Sequence, residues 1–237
     1  IGENKMKKVI CIVGSRNPSS KGLAFCKALL IRLKDFYHEI DYKILTPNDY
    51  FLEPIDGTNE TFYKGIDKKD NIDDGSMIKH NLEDADFVIF CTPVYSHNVS
   101  GDIKILIDRL SYWGHIFKLL GKSGLTVTVA DSNGFIQVDE YIDKILTGFG
   151  VDVIENVILT RKDDVQKFDF LSLIGDIVET FQPEYKIKVP AFTEAQFKSY
   201  KNSIRKQPHE NFEYRYWDEN KLFYMETLQE YVDKYIN

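Results

Sequence analysis

Val9-Ile10-Cys11-Ile12-Val13-Gly14-Ser15-Arg16-Asn17-Pro18-Ser19-Ser20-Lys21-Gly22 is the stretch that decides the architecture. Val9 to Val13 is continuously apolar and rich in β-branched residues. Such a run reads as a strand buried on both faces, the mark of a parallel sheet. Gly14-Ser15 ends it. From Ser20 to Leu33 apolar residues recur at Leu23, Cys26, Leu29, Leu30 and Leu33. That is helical spacing, with Ser19 or Ser20 placed to cap the helix.

The same alternation continues outward. Tyr42 to Leu45 reads as a weaker, partly polar strand near a sheet edge. Thr46 to Gly75 is long, with Pro47, Pro54, Gly57 and a charged stretch from Asp67 to Asp74. A loop of that length in a compact domain is usually functional or an oligomer contact. A short helix follows over Ser76 to Asp84. Phe87 to Cys91 is a second fully buried strand, stopped by Pro93. Ile103, Leu106, Ile107, Leu110 and Trp113 predict a helix from Gly101 to Leu120. Leu125 to Ala130 is a strand ended by Asp131-Ser132-Asn133-Gly134. Val138 to Phe149 is helical, Val153 to Leu159 the last strand, and Phe168 to Phe181 the last helix of the unit.

Strand then helix, five times over, predicts an α/β fold: a doubly wound five-stranded parallel sheet with helices on both faces. The order 2-1-3-4-5 suits it, and ligands then sit beyond the carboxyl ends of the strands. This unit spans residues 6–182. Met6-Lys7-Lys8 reads as a natural start, so Ile1 to Lys5 are given no role. Residues 183–237 form a C-terminal helical extension rich in aromatics, among them Phe212, Tyr214, Tyr216, Trp217, Phe223 and Tyr224. Leu222 to Ile236 has helical spacing. The extension is expected to pack on the body or on a second subunit; alternatively Tyr214, Tyr216 or Trp217 lids a site.

The chain has 237 residues, 43% hydrophobic and 28% charged, with net charge -7. That balance argues against nucleic acid and against an anionic membrane surface as partners. No apolar run is long enough to span a bilayer and no signal peptide is evident; the cysteines, none close to another in sequence, point to a reducing, cytoplasmic setting. The three cysteines, Cys11, Cys26 and Cys91, form no CxxC pair, so the usual zinc and iron–sulfur spacings are missing and no metal is expected. Cys11 and Cys91 read as small buried hydrophobes.

Three segments leave the carboxyl ends of buried strands: Ser15 to Lys21, Thr92 to Gly101, and Asp131 to Phe135. The first is rich in hydroxyls and opens a helix, where backbone amides attract an anion. It contains neither GxxxxGK[ST] nor GxGxxG, which leaves a phosphate monoester or simple helix capping. The second offers Pro, Val and Tyr as an apolar slot, with Asn98 and backbone amides as donors. That suits a flat heterocycle. Asp108 and Arg109 are expected to form a structural ion pair at the sheet edge. His80, His115 and His209 are isolated surface or packing residues.

Pro93-Val94-Tyr95, Val99-Ser100-Gly101, Lys104 and Ile107-Asp108-Arg109-Leu110, with Gly14-Ser15-Arg16 after the first strand, resemble the NAD(P)H-dependent FMN reductase family. That family includes iron–sulfur flavoproteins and quinone reductases; their cysteine cluster is missing here. The resemblance covers Lys7 to Phe181. It implies a flavodoxin-like fold, FMN as cofactor, and NADH or NADPH as co-substrate. It further implies ping-pong hydride transfer to a small acceptor such as a flavin or quinone, and a homodimer or homotetramer. Carried onto this chain, Ser15, Arg16, Ser19 and Ser20 would hold the FMN phosphate, with Arg16 and Lys21 both open as its cation. Pro93, Val94, Tyr95, Ser96, His97 and Asn98 would wrap the isoalloxazine. Asp131, Ser132, Asn133 and Gly134 stand in the third flavin loop, where the usual glycine-rich run is reduced to Gly134. No catalytic side chain is required; His97 is a candidate proton donor to a quinone, or a loop histidine making one structural hydrogen bond. A flavodoxin-type electron carrier without nicotinamide turnover is the alternative.

Overall fold

The computed structural model describes residues 6–237; Ile1 to Lys5 lie outside the described residues. Five strands, β1 (Lys7–Val13), β2 (Ile40–Leu45), β3 (Phe87–Pro93), β4 (Ser123–Val129) and β5 (Asp152–Leu159), form one sheet in the order β2-β1-β3-β4-β5, every pair parallel. The fold is flavodoxin-like. The helices are α1 (Lys21–Phe36), α2 (Glu60–Lys64), α3 (Gly75–Asp84), α4 (Gly101–Arg109), α5 (Trp113–Ile116), α6 (Phe135–Gly148) and α7 (Phe170–Glu179). The extension adds α8 (Ala191–Ile204), α9 (Phe212–Glu219) and α10 (Leu228–Tyr235).

Each sheet face has its own core. Val9, Cys11, Val13, Phe87, Ile89, Cys91, Leu125 and Val127 point to the face covered by α1 and α7. Ile10, Ile12, Val88 and Phe90 point to the other, where they meet residues of α3, α4, α6 and the extension. This two-sided burial is why Val9 to Val13 and Phe87 to Cys91 read as unbroken apolar runs. Register places Val13 opposite Cys91, and Pro93 opposite Val129. The three inner strands therefore end at one level, and the segments that follow them start side by side.

Some expectations need correction. Pro93 does not stop β3 but closes it as its last residue; at a strand end its missing N–H costs no ladder bond. The single helix expected over Gly101 to Leu120 is two pieces. Helix α4 stops at Arg109, and α5 ends with Phe117 in the left-handed region at φ 49°. Leu110, Tyr112, Trp113, Ile116 and Phe117 are all buried, so they keep helical spacing without forming one helix. Leu222 to Ile236 is likewise split, into a 3-10 turn at Leu222–Tyr224 and α10.

Arg109 does not pair with Asp108, which faces Lys104 Nζ at 2.5 Å. Its side chain is 1% exposed and turns inward. There it meets Asp67, Asp70 (2.7 Å) and Asp73 (2.5 Å), and donates to the Glu53 carbonyl at 2.9 Å. Lys79 Nζ joins Asp70 at 2.7 Å. Residues 46–75 are thus clamped to α4 by a buried ionic hub, because an uncompensated guanidinium could not be held there.

Candidate functional site

The first strand-end segment is shaped by close approach and by capping. A Cβ on Gly14 would lie 2.6 Å from Ser100 Oγ and overlap Ile103, so only glycine lets this turn run against the start of α4. Asn17 builds a compact turn: its Oδ1 accepts from Ser19 N–H (2.9 Å) and its carbonyl from Ser20 N–H (3.0 Å). Ser20 Oγ accepts from Leu23 N–H at 3.3 Å as N-cap of α1. The preceding amides of Lys21 and Gly22 have no acceptor one turn back and face the segment. Ser15 is buried; Arg16, Asn17 and Ser19 are exposed. First-turn amides of a sixteen-residue helix with hydroxyls beside them suit a phosphate group.

Neither candidate cation is free. Lys21 Nζ donates to the carbonyls of Thr160 (2.6 Å), Asp163 (2.8 Å) and Arg161 (3.3 Å), tying α1 to the turn after β5. Arg16 makes a bidentate bridge to Asp102 in the first turn of α4, Nη2 to Oδ1 at 2.7 Å and Nε to Oδ2 at 3.1 Å. Asn48, after β2, donates its Nδ2 to the Arg16 carbonyl at 2.9 Å. Sequence reasoning missed Asn48 and Asp102. Both stand at element ends beside Ser15, and β2 lies next to β1 in the sheet. Position at a strand's carboxyl end was the signal that would have found Asn48.

The second segment is a tight hairpin turn. Tyr95 and Asn98 exchange both backbone bonds, at 2.9 and 3.0 Å. Ser96 and His97 between them have φ of 50° and 61°. Two consecutive positive φ values define a primed turn, which ordinarily selects glycine or asparagine. Here two other residues are held there, at a cost of about 1–3 kcal/mol each. Asn98 Oδ1 accepts from Val99 N–H (2.8 Å), and Ser100 caps α4 by accepting from Ile103 N–H at 3.3 Å. Tyr95, Ser96, His97 and Asn98 are exposed; Pro93 and Val94 are half-buried.

The third segment meets the second directly. Gly134 has φ 77°, and a Cβ there would lie 2.8 Å from His97 Nδ1. Asp131, Ser132 and Asn133 are exposed. Val94 N–H donates to the Val129 carbonyl at 2.8 Å, joining the roots of the two segments. The close approaches of Gly14 to Ser100 and of Gly134 to His97 set the three segments that carry the fourteen candidate residues side by side. Glycine at the two points of closest approach lets the segments touch, because a side chain there would run into Ser100 and Ile103 or into His97.

The other histidines lie elsewhere. His115 Nδ1 is 2.6 Å from Glu213 Oε1, and His209 stacks on Tyr214 with centroids 4.2 Å apart. Trp217 is fully buried; it stacks on Phe197 and donates to the His115 carbonyl at 2.8 Å. It is no lid. Helix α9, which carries Tyr214 and Tyr216, packs on α2 and α5 rather than on the strand ends. Below the site, the Cys26 thiol reaches both Cys11 and Cys91, all fully buried; burial pushes the Cys11 thiol well above its ordinary value.

A doubly wound parallel sheet in the order β2-β1-β3-β4-β5 with helices on both faces defines the class of flavodoxin-like proteins. Within that class the chain belongs to the NADPH-dependent FMN reductase family, whose model matches residues 7–164. The cofactor of that family is FMN, with NAD(P)H as co-substrate. The chain is 35% identical over 80 residues to an iron-sulfur flavoprotein of Archaeoglobus fulgidus, covering 33% of this chain and 36% of that one. It is 32% identical over 128 residues to an iron-sulfur flavoprotein of Methanocaldococcus jannaschii, covering 54% and 64%. The chain thus spans about a third and under two thirds of the curated relatives it matches. An azoreductase of Bacillus anthracis shares the fold, with TM-score 0.56 at 18% identity over 74% of this chain and 97% of that one. No helix among the described residues is long and apolar enough to cross a membrane.

Proposed function

We propose that the chain is an FMN-dependent NAD(P)H oxidoreductase that alternates between a reduced nicotinamide and a small acceptor such as a flavin or quinone. FMN, once bound, supplies the hydride- and electron-transfer chemistry. The chain's own residues hold and orient it. The amides of Lys21 and Gly22, with Ser15, Ser19 and Ser20, would take the phosphate. The primed turn from Tyr95 to Asn98 would present backbone groups to the polar ring edge, while Pro93, Val94 and Tyr95 line the apolar side. Asp131 to Gly134 would close the opposite flank. His97, pressed against Gly134, stands where a proton could pass to an acceptor.

The observation that carries this reading is the pair of close approaches, Gly14 to Ser100 and Gly134 to His97, which sets the three strand-end segments side by side. Two measurements test it. The protein should quench FMN fluorescence on titration at micromolar levels; failure to do so sinks the reading. The FMN-loaded protein should oxidise NADH or NADPH steadily with excess quinone. Binding without that turnover would leave a flavodoxin-type carrier instead.

A further inference from the structure

Lys21, the first residue of α1, fastens the start of that helix to the turn after β5. Its Nζ donates to three main-chain carbonyls, those of Thr160 (2.6 Å), Asp163 (2.8 Å) and Arg161 (3.3 Å). An ammonium has three N–H groups, so none is left over for a ligand. The turn that supplies the carbonyls is closed by its own bonds. Asp163 Oδ2 accepts from Thr160 N–H at 2.6 Å and from the Thr160 hydroxyl at 2.8 Å. Ala130 N–H donates to the Leu159 carbonyl at 2.9 Å, which roots this turn beside the end of β4. The next residue fixes the helix from a second side. A Cβ on Gly22 would lie 2.6 Å from Cys91 Sγ and 3.2 Å from Val129 Cγ2, so the first turn of α1 rests on the ends of β3 and β4.

The two cations of the phosphate-side turn are thus held differently. The charge of Arg16 is matched by the Asp102 carboxylate through two bonds. The three acceptors around Lys21 are carbonyl oxygens, which orient an ammonium but carry no net charge to cancel it. We propose that Lys21 is a positioning residue for the FMN phosphate that does not touch it. Pinned to the turn after β5, it holds the first-turn amides of α1 in line and sets a fixed positive charge beside them, which favours an anion at that helix end. The turn after β5 is thereby a fourth strand-end segment of the site, coupled to the phosphate through one side chain. This inference rests on the FMN reading above.

The test compares FMN with riboflavin, which has no phosphate, by fluorescence quenching on the full chain. Lys21→Met keeps an unbranched stem and removes the charge with all three bonds. It should weaken FMN binding about tenfold, the scale of one charge acting over several ångströms, and change riboflavin binding by less than about twofold. Lys21→Arg, which keeps the charge and offers donors to the same carbonyls, should return FMN affinity to within about threefold of the unmodified protein. Added salt should weaken FMN binding to the unmodified protein and weaken it less in Lys21→Met, because the charge being screened is gone. Should Lys21→Met fail to melt cooperatively, Lys21→Gln, which keeps donors for the turn and lacks the charge, takes its place with the same expected values. Equal weakening of both ligands by a folded variant, full FMN affinity without the charge, an arginine variant no better than the methionine one, or an unchanged salt dependence would each overturn the proposal. If the unmodified protein binds no FMN, the function reading falls and takes this one with it.

Discussion

At the scale of single residues, the candidate site stores strain that substitutions can read out. Ser96 and His97 both occupy the left-handed region inside one turn. Ser96 is exposed and its side chain makes no hydrogen bond among those found in the turn. Ser96→Gly should therefore raise stability by about 1 kcal/mol, a gain of ~2–4 °C in Tm for a chain of this size. A thermal melt checks this, and a lowered Tm would mean the hydroxyl holds the turn. Gly134 is the opposite case. At φ 77° with His97 Nδ1 2.8 Å from the missing Cβ, Gly134→Ala adds backbone strain and pushes the second segment away. It should cost about 1–3 kcal/mol and weaken FMN binding at least as much as it lowers stability. Urea midpoints and FMN quenching read the two effects separately; unchanged quenching would show that His97 and Gly134 do not frame the ligand.

At the scale of elements, what was legible follows from which forces are local. The central strands could be read because burial on both faces makes Val9 to Val13 and Phe87 to Cys91 apolar throughout and leaves only threonines to interrupt Leu125 to Val129. The site segments could be read because strand ends in this topology converge. Helix α4 and α5 could not be separated, since Leu110 to Phe117 satisfy the same apolar period whether the backbone continues or breaks. Asn48 stood within reach, at the carboxyl end of β2, but Asp102 did not, because its role arises from Arg16, 86 residues away. The hub beneath residues 46–75 was hidden for the same reason, and it makes a prediction about pH. Burial raises the Asp73 pKa, but hydrogen bonds from Arg109 and from the Glu53 and Gly75 amides outweigh it, so the carboxyl lies below its ordinary 3.8. A depressed folded-state value means stability that is complete above about pH 4 and lost as pH falls below it. Asp67 and Asp70 also bond this guanidinium, and Lys79 bonds both of those carboxylates. Asp73→Asn should be destabilised by about 1.5–3 kcal/mol at neutral pH, because the buried guanidinium loses a charge-assisted hydrogen bond while Asp67 and Asp70 still balance it and Lys79. It should also show a shallower acid limb than the unmodified protein. Urea midpoints from about pH 3 to about pH 7 test both; parallel limbs would place the acid-labile group elsewhere.

At the scale of the molecule, the question is whether the extension is ornament or part of the body. Its large side chains are not laid on a finished surface. Phe197, Trp217, Phe223 and Leu228 are buried in the same core as Trp113, Phe117, Val88 and Phe90. Its polar groups are interleaved with those of the body as well. Thr193 Oγ1 donates to the Thr147 carbonyl at 3.1 Å, and Tyr185 Oη to Asp152 Oδ2 at the start of β5 at 2.5 Å. Glu194 accepts from the first amides of α10, Leu228 at 3.0 Å and Gln229 at 2.7 Å, so the extension is also fastened to itself. Burying each of those four apolar side chains is worth about 1.5–3 kcal/mol, and together they rival the ~5–15 kcal/mol by which a whole protein is stable. Residues 6–182 alone should therefore fail to melt cooperatively and should bind a hydrophobic dye at room temperature, even though every strand and every site segment is retained. The extension would then support the site without touching it, holding α5 and α6 so that Asp131 to Gly134, at the start of α6, meet His97. Circular dichroism melts and dye binding on the truncated chain decide the matter: a sharp transition near that of the full chain would show that the sheet and its site stand on their own.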